Sequence, residues 1–518
     1  MQSSLSPYTI LGIIAAYFAV LITISFVTSR KDNDNASFFL AGRKSPWPLV
    51  AIGMIGASLS GVTFISVPGA VGAGGANQAL SYMQVVFGYL LGYLFIATVL
   101  LPLYYRLGLT SIYEYLRDRI GWHGYKIGAF YFLLSRTVGA SFRLFLVAMV
   151  LDGFVTQPLG IPFGVTVAIT ILLIWLYTFR GGIRTIVYTD TFQTVCLLLA
   201  AGLTIYFIGE ALETNLGGMV SLIYNSDYSQ LFFFEGGWSD PNNFFKQFLS
   251  GALITIVMTG LDQDMMQKNL SMPNFRDAQK NMATFSIVLV FANLLFLALG
   301  ALLYIYATRV GLEIPPSSDQ LYPSIALRSL PPIAGVVFIL GLVAAAYSSA
   351  DSALTALTTS FCVDFLGMRE ADGDSEADKT LQVATMTRQR LFVHVGFSGL
   401  LFLVIMAFSL IGDAAVINSL FKAAGYTYGP LLGLFAFGLF TNLRVREVVY
   451  LGRIKVPALV LICLLAPVIS MAVDAYSAEL LGGFQFGFLI LAFNGLLTFL
   501  GLVALSDFSE VDVPAPPQ

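Results

Sequence analysis

Residues 53–75, GMIGASLSGVTFISVPGAVGAGG, combine hydroxyl side chains and helix-breaking residues in a stretch long enough to cross a bilayer. Ser58, Ser60 and Thr63 supply hydroxyl groups, and Pro68 removes a backbone donor. One interpretation is close packing of helices through small residues. The other is a broken helix, because freed backbone groups persist at membrane depth only where they line a cavity or are buried in protein. Such a break offers carbonyl oxygens to sodium and half-helix ends to a solute.

A second group of oxygen atoms lies in AAAYSSADSALTALTTS, residues 344–360. Ala345, Ser348, Ser349 and Ser352 follow helical spacing and therefore share one face. Hydroxyl and carbonyl oxygens on one face suit a small hard cation, although helical serines also bond back to the carbonyl four residues earlier. Beside a broken helix and a buried acid, the pattern favours a cation site.

Several charged residues fall within or beside apolar segments: Arg136, Arg143, Asp190, Asp262, Asp264, Asp351 and Lys422. A charge at the bilayer centre costs roughly 2.5–3.5 kcal/mol on insertion scales, so each should face a cavity or a partner. Asp190 is either a structural partner of an arginine or a cation ligand. Arg136 and Lys422 either bind an anionic solute or are neutralised by the nearby aspartates, because buried charges are usually paired.

The composition supports a membrane location for these groups. The chain of 518 residues is 57% hydrophobic and only 11% charged, whereas soluble proteins carry about 25% charged residues. The three cysteines lie in apolar runs without paired spacing, so a disulfide framework or a metal-thiolate site is not expected. No catalytic signature is recognisable, and the protein is not expected to be an enzyme. We expect a small-molecule solute and membrane lipid as partners, with no nucleic acid and no obligate protein partner.

Thirteen apolar segments are long enough to be transmembrane helices. They lie near residues 8–28, 46–74, 79–105, 124–154, 160–179, 187–209, 246–267, 281–307, 333–366, 390–409, 414–440, 455–474 and 482–506. We therefore predict an all-α polytopic membrane protein. Gly260, followed at once by Asp262, marks a second break in the seventh helix, five helices after the first. The prolines of 317–332 indicate a re-entrant or extra piece before the ninth helix.

The two predicted breaks divide the chain into two inverted repeats. We assign 1–45 to an extra N-terminal helix and inner loop, 46–209 to the first repeat and 243–440 to the second. Residues 441–518 then form C-terminal helices and a short tail, and all four parts belong to a single transmembrane domain.

The lysines and arginines predict the orientation, because they concentrate in cytoplasmic segments. With the N-terminus outside, the outer segments hold only Lys246, Arg309 and Arg328. The inner segments hold most of the rest, among them Arg43, Arg106, Arg119, Lys268, Lys280 and Arg388. We expect a multi-pass protein of the plasma (cell inner) membrane with a cytoplasmic C-terminus.

Five stretches of the sequence together resemble the sodium/solute symporter family of sugar, proline, iodide, vitamin and sialic acid transporters. They are GASLSGVTF, GGIRTIVYTDTFQ, TGLDQDMMQKNL, AAAYSSADSAL and AAGYTYGPLLGLF. The resemblance covers essentially the whole chain. It implies a five-plus-five inverted-repeat fold with broken helices 2 and 7, one extra helix before the core and two or more after it, in agreement with the thirteen segments.

The resemblance also implies sodium as the coupling ion and a site for it. The backbone oxygens would come from Gly56, Leu59 and Ala345, and the hydroxyls from Ser348 and Ser349. Gly56 replaces a frequent alanine, which should change little if only its carbonyl binds the ion. Asp190 matches an acid that supports sodium coupling and, in some members, a second sodium.

The solute would lie beside the first break, which selects Ser58, Ser60, Thr63, Gln84, Arg136, Asp262 and Lys422. The hydroxyls, Gln84 and Arg136 resemble the sialic acid transporters, where an arginine grips the carboxylate. A guanidinium suits this role because it binds a carboxylate through two hydrogen bonds. Asp264 replaces an aromatic residue of the sugar carriers, which weakens a plain hexose assignment.

The leading prediction is a sodium-coupled symporter of a carboxylated sugar such as sialic acid. A neutral sugar or polyol is the alternative, and coupling to protons is a variant. A transporter-like sensor is less well supported, because no signalling domain follows the helices. A channel or a membrane enzyme lacks the filter or catalytic residues that it needs.

Overall fold

The computed structural model describes residues 6–29, 39–73, 78–178, 182–368, 376–410, 416–446, 448–451 and 454–507. The predicted helix ends at 74, 179 and 414 and the tail after 507 lie outside these residues. In chain order the helices are α1 (Pro7–Ser29), α2 (Trp47–Ser58), α3 (Gly61–Ala70), α4 (Tyr82–Arg106), α5 (Glu114–Ile120), α6 (Trp122–Leu159), α7 (Phe163–Thr178), α8 (Gly182–Ala211), α9 (Leu216–Tyr224), α10 (Phe244–Gly260), α11 (Gln263–Leu270), α12 (Phe275–Val310), α13 (Leu321–Arg328), α14 (Pro332–Phe365), α15 (Glu376–Phe408), α16 (Val416–Phe440), α17 (Ala458–Ala475), α18 (Ser477–Leu480) and α19 (Gly487–Ala504).

Most of these helices are suited to a bilayer. Within the described residues, ten are long and apolar enough to cross a membrane, or up to twelve spans if each of two bent pairs counts as one. The apolar helix α7 is shorter, with 16 residues. Large apolar side chains on the outside of the bundle, such as Leu94, Leu172 and Phe291, are exposed and face the lipid in a membrane. The multi-pass membrane architecture is therefore confirmed.

Both predicted breaks are present. Helices α2 and α3 meet at 54°, and α10 and α11 meet at 62°. At the first break Leu59 leaves the helical region, with φ −79° and ψ 74°, and Ser60 is extended. At the second, Asp262 is extended and its carboxylate accepts from the backbone N–H groups of Asp264 and Met265, so it caps α11.

Two close glycine contacts hold the broken span α10 against α4. A Cβ on Gly88 would lie 2.1 Å from the Phe248 carbonyl oxygen, and one on Gly251 would lie 2.1 Å from the Val85 oxygen. Only residues without a side chain allow the two backbones to approach this closely. The second break is therefore attached to α4, a helix long enough to cross a membrane.

The extents of some elements differ from the prediction. Helices α12 and α15 begin before the predicted 281 and 390 because their first turns are polar and do not register as apolar runs. The piece expected in 317–332 is α13, preceded by a short 3₁₀ turn at Ser318–Gln320. The all-α prediction omits two small antiparallel sheets. One pairs β1 (Arg444–Val445) with β4 (Ser506–Asp507), and the other pairs β2 (Val448–Leu451) with β3 (Ile454–Pro457).

Candidate functional site

A cavity lies at the break between α2 and α3. Its polar lining comes from both halves of the broken span and from α4, α6, α10 and α12: Ser58, Ser60, Thr63, Tyr82, Tyr89, Tyr93, Arg136, Arg143, Thr255, Thr259 and Asn293. Hydroxyls, phenols and two guanidinium groups thus face one space with apolar walls, a combination that can hold a polar or anionic organic solute.

Four of the seven predicted solute residues line this cavity, namely Ser58, Ser60, Thr63 and Arg136. The other three do not. Gln84 is fully buried, and its amide bonds the outer loop: Nε2 donates to the Asn242 carbonyl at 2.9 Å, and Oε1 accepts from the Phe233 N–H at 3.0 Å. The structure therefore gives Gln84 a loop-holding role, because both ends of its amide are occupied.

Asp262 and Lys422 also lie away from the cavity lining. Besides capping α11, Asp262 accepts a hydrogen bond of 2.7 Å from the Tyr428 hydroxyl. The Lys422 side chain is 57% exposed and its Nζ lies 3.0 Å from Asp474 Oδ2. Asp474 lies near the end of α17. The sequence around Lys422 in α16 does not indicate this partner, because the two residues belong to different helices.

The two arginines of α6 differ in their partners. Arg136 forms a buried ion pair with Asp264 and lies 3.8 Å from Asp262. For Arg136 the structure therefore agrees with the second interpretation, neutralisation by a nearby aspartate. Arg143 is 8% exposed, and within the described ranges it forms no ion pair, and its Nε is buried without a hydrogen-bond partner. Among the described residues, Arg143 therefore offers the cavity a guanidinium that has no carboxylate within ion-pair distance.

Three of the predicted sodium residues, Gly56, Asp190 and Ser348, lie close together beside the first break. Gly56 of α2 lies against α8 and α14, since a Cβ on it would be 3.1 Å from Ser348 Oγ and 3.3 Å from the Asp190 carbonyl oxygen. The break also frees a backbone acceptor, because the Ser60 N–H donates to the Ser58 carbonyl at 3.0 Å and not to Gly56, four residues back.

The neighbours of Gly56 leave no space for an alanine side chain, a packing constraint that the sequence does not indicate. A Cβ would lie 2.2 Å from Thr194 Oγ1. That hydroxyl is fixed, because it bonds to the Asp190 carbonyl at 2.7 Å and to the Ile52 carbonyl at 2.8 Å. Glycine is required here because Thr194 fills the space that a side chain would need.

The serines of α14 behave differently from one another. The Ser349 hydroxyl bonds back to the Ala346 carbonyl at 3.2 Å and to Ala345 at 3.4 Å, as the structural alternative predicts. The Ser348 hydroxyl is buried beside Asp190, and it forms no hydrogen bond of good geometry in the part of the chain that is described. Buried polar groups are rarely left without partners, so an open hydroxyl beside a helix break is a ready cation ligand.

Asp190 has one occupied and one open carboxylate oxygen. Its Oδ2 accepts from Lys268 Nζ at 2.8 Å and from Ser352 Oγ at 3.2 Å. Its Oδ1 is buried, with no hydrogen-bond partner among the described residues. Lys268 lies in α11 and is 1% exposed, so it is a buried partner of Asp190. Asp351, a neighbour on α14, accepts instead from the Tyr177 hydroxyl at 2.8 Å.

At the second break the backbone carbonyls are occupied. The Gly260 carbonyl accepts from the Tyr104 hydroxyl at 2.9 Å, and the Leu261 carbonyl accepts from Tyr113 at 3.0 Å. The Gln263 amide is also held, since it donates to the Thr110 carbonyl at 2.8 Å and accepts from the Ile112 N–H at 3.0 Å. Protein donors therefore satisfy the Gly260 and Leu261 carbonyls, whereas the buried Asp264 Oδ1 has no hydrogen-bond partner among the described residues.

Sequence reasoning missed Lys268 and the tyrosines of α4. Lys268 lies four residues after Asp264, a spacing that places both on one helix face and could have indicated an internal pair. Tyr82, Tyr89 and Tyr93 recur at helical spacing in an apolar segment. That pattern is typical of a packed helix face, and only the neighbouring helices reveal that it lines a cavity.

The chain resembles known transporters along most of its length. The family model described as the sodium:solute symporter family matches residues 38–445. The sodium/sialic acid symporter NanT of Aliivibrio fischeri is 25% identical over 472 residues, which cover 86% of each chain. The sodium/sialic acid symporter SiaT of Proteus mirabilis is 24% identical over 83% of this chain and 84% of its own. The human sodium/iodide cotransporter is 23% identical over 78% of this chain and 61% of its own.

Solved structures share the fold. A substrate-bound, outward-open sodium-coupled sialic acid symporter superposes with a TM-score of 0.76 at 18% identity, covering 96% of this chain and 97% of its own. Mhp1, a nucleobase-cation-symport-1 family transporter, gives a TM-score of 0.51 at 17% identity, with 92% of this chain and 96% of its own covered. The agreement over nearly complete chains extends to the broken-helix core.

Proposed function

The chain belongs to the sodium:solute symporter family, and from this premise we propose that it imports a carboxylated sugar such as sialic acid together with sodium. It is a transporter and not an enzyme, and sodium is its coupling ion. The observation that carries the choice of solute is Arg143, an unneutralised guanidinium in a cavity otherwise lined by hydroxyls and phenols. An acidic sugar supplies a carboxylate for the arginine and hydroxyl groups for Ser60 and Thr63.

Arg143 would hold the carboxylate, and Arg136 would strengthen the positive potential beside it. A guanidinium forms two parallel hydrogen bonds with a carboxylate, and such charge-assisted bonds are about twice as strong as neutral ones. A neutral sugar would leave the buried charge of Arg143 without a partner, which is costly. The two relatives named as sialic acid symporters support the same solute class, and each alignment covers similar shares of both chains.

Sodium would bind where the first break meets α14. The proposed ligands are the carbonyl oxygens of Gly56, Leu59 and Ala345 and the hydroxyls of Ser348 and Ser349, with Asp190 supplying negative charge nearby. The open Ser348 hydroxyl and the open Oδ1 of Asp190 support this placement. A cation there would join α2 to α14 and so stabilise one arrangement of the broken span.

Transport would proceed by alternating access between the repeats 46–209 and 243–440. The Lys and Arg distribution favours an outer N-terminus and a cytoplasmic C-terminus in the cell membrane. Sodium entering from outside moves down the membrane potential, which contributes about 2.3 kcal/mol per charge per 100 mV to import.

The test is tracer uptake into proteoliposomes under an inward sodium gradient. The solutes are sialic acid, hexuronic acids, neutral hexoses, polyols and proline, tested with Arg143→Gln, Arg143→Lys and Arg136→Gln. We expect sodium-dependent uptake of an acid, and a loss of roughly 10- to 150-fold in apparent affinity for Arg143→Gln, the equivalent of a charged hydrogen bond worth about 1.5–3 kcal/mol. Arg328→Gln is the matched control, because Arg328 lies over the Phe154 ring, away from the cavity.

Two outcomes would contradict the proposal. Uptake of a neutral sugar with the acids inert would mean that both arginines serve only inside the protein. Uptake that persists in a proton gradient without sodium would remove the proposed ion site. The site itself is tested by Ser348→Ala, which should raise the half-saturating sodium concentration, whereas Ser398→Ala should not, because Ser398 only bonds back to the His394 carbonyl.

A further inference from the structure

Four buried charges connect the solute cavity with the proposed sodium site. Arg136 pairs with Asp264 Oδ2, Asp264 Oδ1 lies 3.9 Å from Lys268 Nζ, and Lys268 Nζ lies 2.8 Å from Asp190 Oδ2. Each side chain is at most 4% exposed. Arg136 lines the cavity, and Asp190 lies beside Gly56. The signs alternate along the chain of residues, so a change of partner at one end can pass to the other.

The two middle residues belong to one short element. Asp264 is in the first turn of α11 and Lys268 is one turn later, so both lie on the same face. Asp262 caps α11, and the Gln263 amide bonds to the Thr110 carbonyl and the Ile112 N–H. These contacts hold the backbone of α11, whereas the side chains of Asp264 and Lys268 can exchange ion-pair partners without moving it. At 3.9 Å, the Asp264–Lys268 contact is the weakest link as the structure stands.

We propose that Lys268 is a tethered cation that competes with sodium for Asp190, and that Asp264 draws it away when the solute engages Arg136. This inference rests on the proposed function and adds the means of coupling. In the observed arrangement the ammonium group occupies Asp190 Oδ2 and reduces the negative charge available to a metal ion. Sodium and the ammonium group cannot both neutralise that carboxylate without repelling each other, since like charges at short range are unfavourable.

A carboxylate bound at Arg143 and Arg136 weakens the Arg136–Asp264 pair. Asp264 then attracts Lys268 across the short gap, and Asp190 is left for sodium. The reverse order gives the same end state, because sodium at Asp190 repels Lys268 toward Asp264 and releases Arg136 for the solute. The coupling is therefore positive and reciprocal, as linkage between two equilibrium sites requires.

The first experiment uses sodium alone. Thermal stabilisation of the purified full-length protein is titrated with sodium at constant ionic strength, with choline as the replacing cation. Lys268→Met should lower the half-saturating sodium concentration by about 5-fold or more, the lower end of typical coupling factors. Lys268→Arg keeps the competitor and should stay near the wild type. Lys246→Met is the control, because Lys246 is 3% exposed, donates to the Trp238 and Gln485 carbonyls and lies over the Phe484 ring, and forms no ion pair among the described residues.

Whether Lys268→Met lowers or raises the half-saturating sodium concentration shows whether Lys268 competes with sodium or supports the sodium site. If Lys268 merely holds the helices together, its removal weakens sodium binding, and a higher or unchanged half-saturating concentration overturns the proposal. Wild-type protein that sodium does not stabilise at all overturns both the proposed function and this inference. Sodium-coupled uptake that remains normal while Lys268→Met fails to tighten sodium binding overturns the inference alone.

The second experiment adds sialic acid and does not depend on the Lys268 variants folding. Saturating sialic acid should lower the half-saturating sodium concentration of the wild type by about 5- to 150-fold. In Asp264→Asn the shift should vanish although sodium and sialic acid each still bind, because the relay has lost its central charge. A full shift in Asp264→Asn would refute the relay.

Discussion

Gly56→Ala provides a sharp test of the proposed sodium site, because the added atom has no space. The new Cβ would lie 2.2 Å from Thr194 Oγ1, whereas ordinary contacts begin near 3.4 Å. One of the two groups must therefore move by about 1 Å, the difference between these distances, and overpacking of this kind costs ~1–3 kcal/mol. Thr194 cannot turn away without losing its bonds to the Asp190 and Ile52 carbonyls.

The strain falls on the sodium-binding arrangement of α2 and α8. If the whole cost appears in ion binding, the half-saturating sodium concentration rises by about 5- to 150-fold, at 1.4 kcal/mol per factor of ten. The assay is the sodium dependence of solute uptake in proteoliposomes, with thermal stability in sodium as a second measurement. Any part of the cost that falls on the ion-free fold, where the contact also exists, lowers thermal stability without sodium and reduces the change in sodium affinity by the same amount.

A double mutant identifies the cause. Thr194→Ala removes the hydroxyl that the new methyl group meets, so Gly56→Ala combined with Thr194→Ala should recover sodium affinity relative to Gly56→Ala alone, a non-additive result expected of groups in contact. Gly202→Ala on the same helix, α8, is the control, because no atom lies within 4 Å of its added Cβ. Wild-type sodium dependence in Gly56→Ala would refute the reasoning, as would a strictly additive double mutant.

Three further substitutions test the assignments around the breaks. Asp262→Ala should cost about 0.5–2 kcal/mol of stability through loss of the α11 cap, while Asp262→Asn retains most of it, as measured by thermal unfolding; equal losses would contradict the capping role. Gln84→Leu should make the 230–243 loop more sensitive to protease with little change in solute KM, whereas a raised KM with normal protection would favour the predicted solute contact. Tyr104→Phe should lose about 1–3 kcal/mol, because the buried Gly260 carbonyl is left without its donor, and unchanged stability would contradict this.

The broken helices were predictable because they depend on local composition. Glycines and hydroxyl residues near Ser58, and a glycine followed by acids at Asp262, cannot continue an apolar helix. Both breaks lie where the sequence indicates, and Ser58, Ser60, Thr63 and Arg136 line the cavity beside the first. Helical spacing also predicts which residues share a face, as for Ser348 and Ser349.

Partners across helices were not predictable from local patterns. Lys422 faces Asp474 of α17, and Gln84 faces the loop before α10, although each residue lies in a suitable apolar segment. Lys268 follows two acids near a helix end, and its burial depends on Asp190, which lies 78 positions earlier in the chain. The need for glycine at position 56 likewise arises from Thr194 on another helix.

The two breaks differ in how their backbone acceptors are satisfied, and this difference assigns them different roles. At the second break, Tyr104 and Tyr113 donate to the Gly260 and Leu261 carbonyls, so these backbone oxygens are already occupied. At the first break, the Ser60 N–H turns away from Gly56, Ser348 Oγ lies near Gly56, and neither Ser348 Oγ nor Asp190 Oδ1 has a hydrogen-bond partner of good geometry among the described residues. In the proposed mechanism, an ion at the first break also determines whether Lys268 pairs with Asp190 or with Asp264. Sodium affinity, solute affinity and the position of the Lys268 side chain should therefore vary together in any variant of α2, α8, α11 or α14.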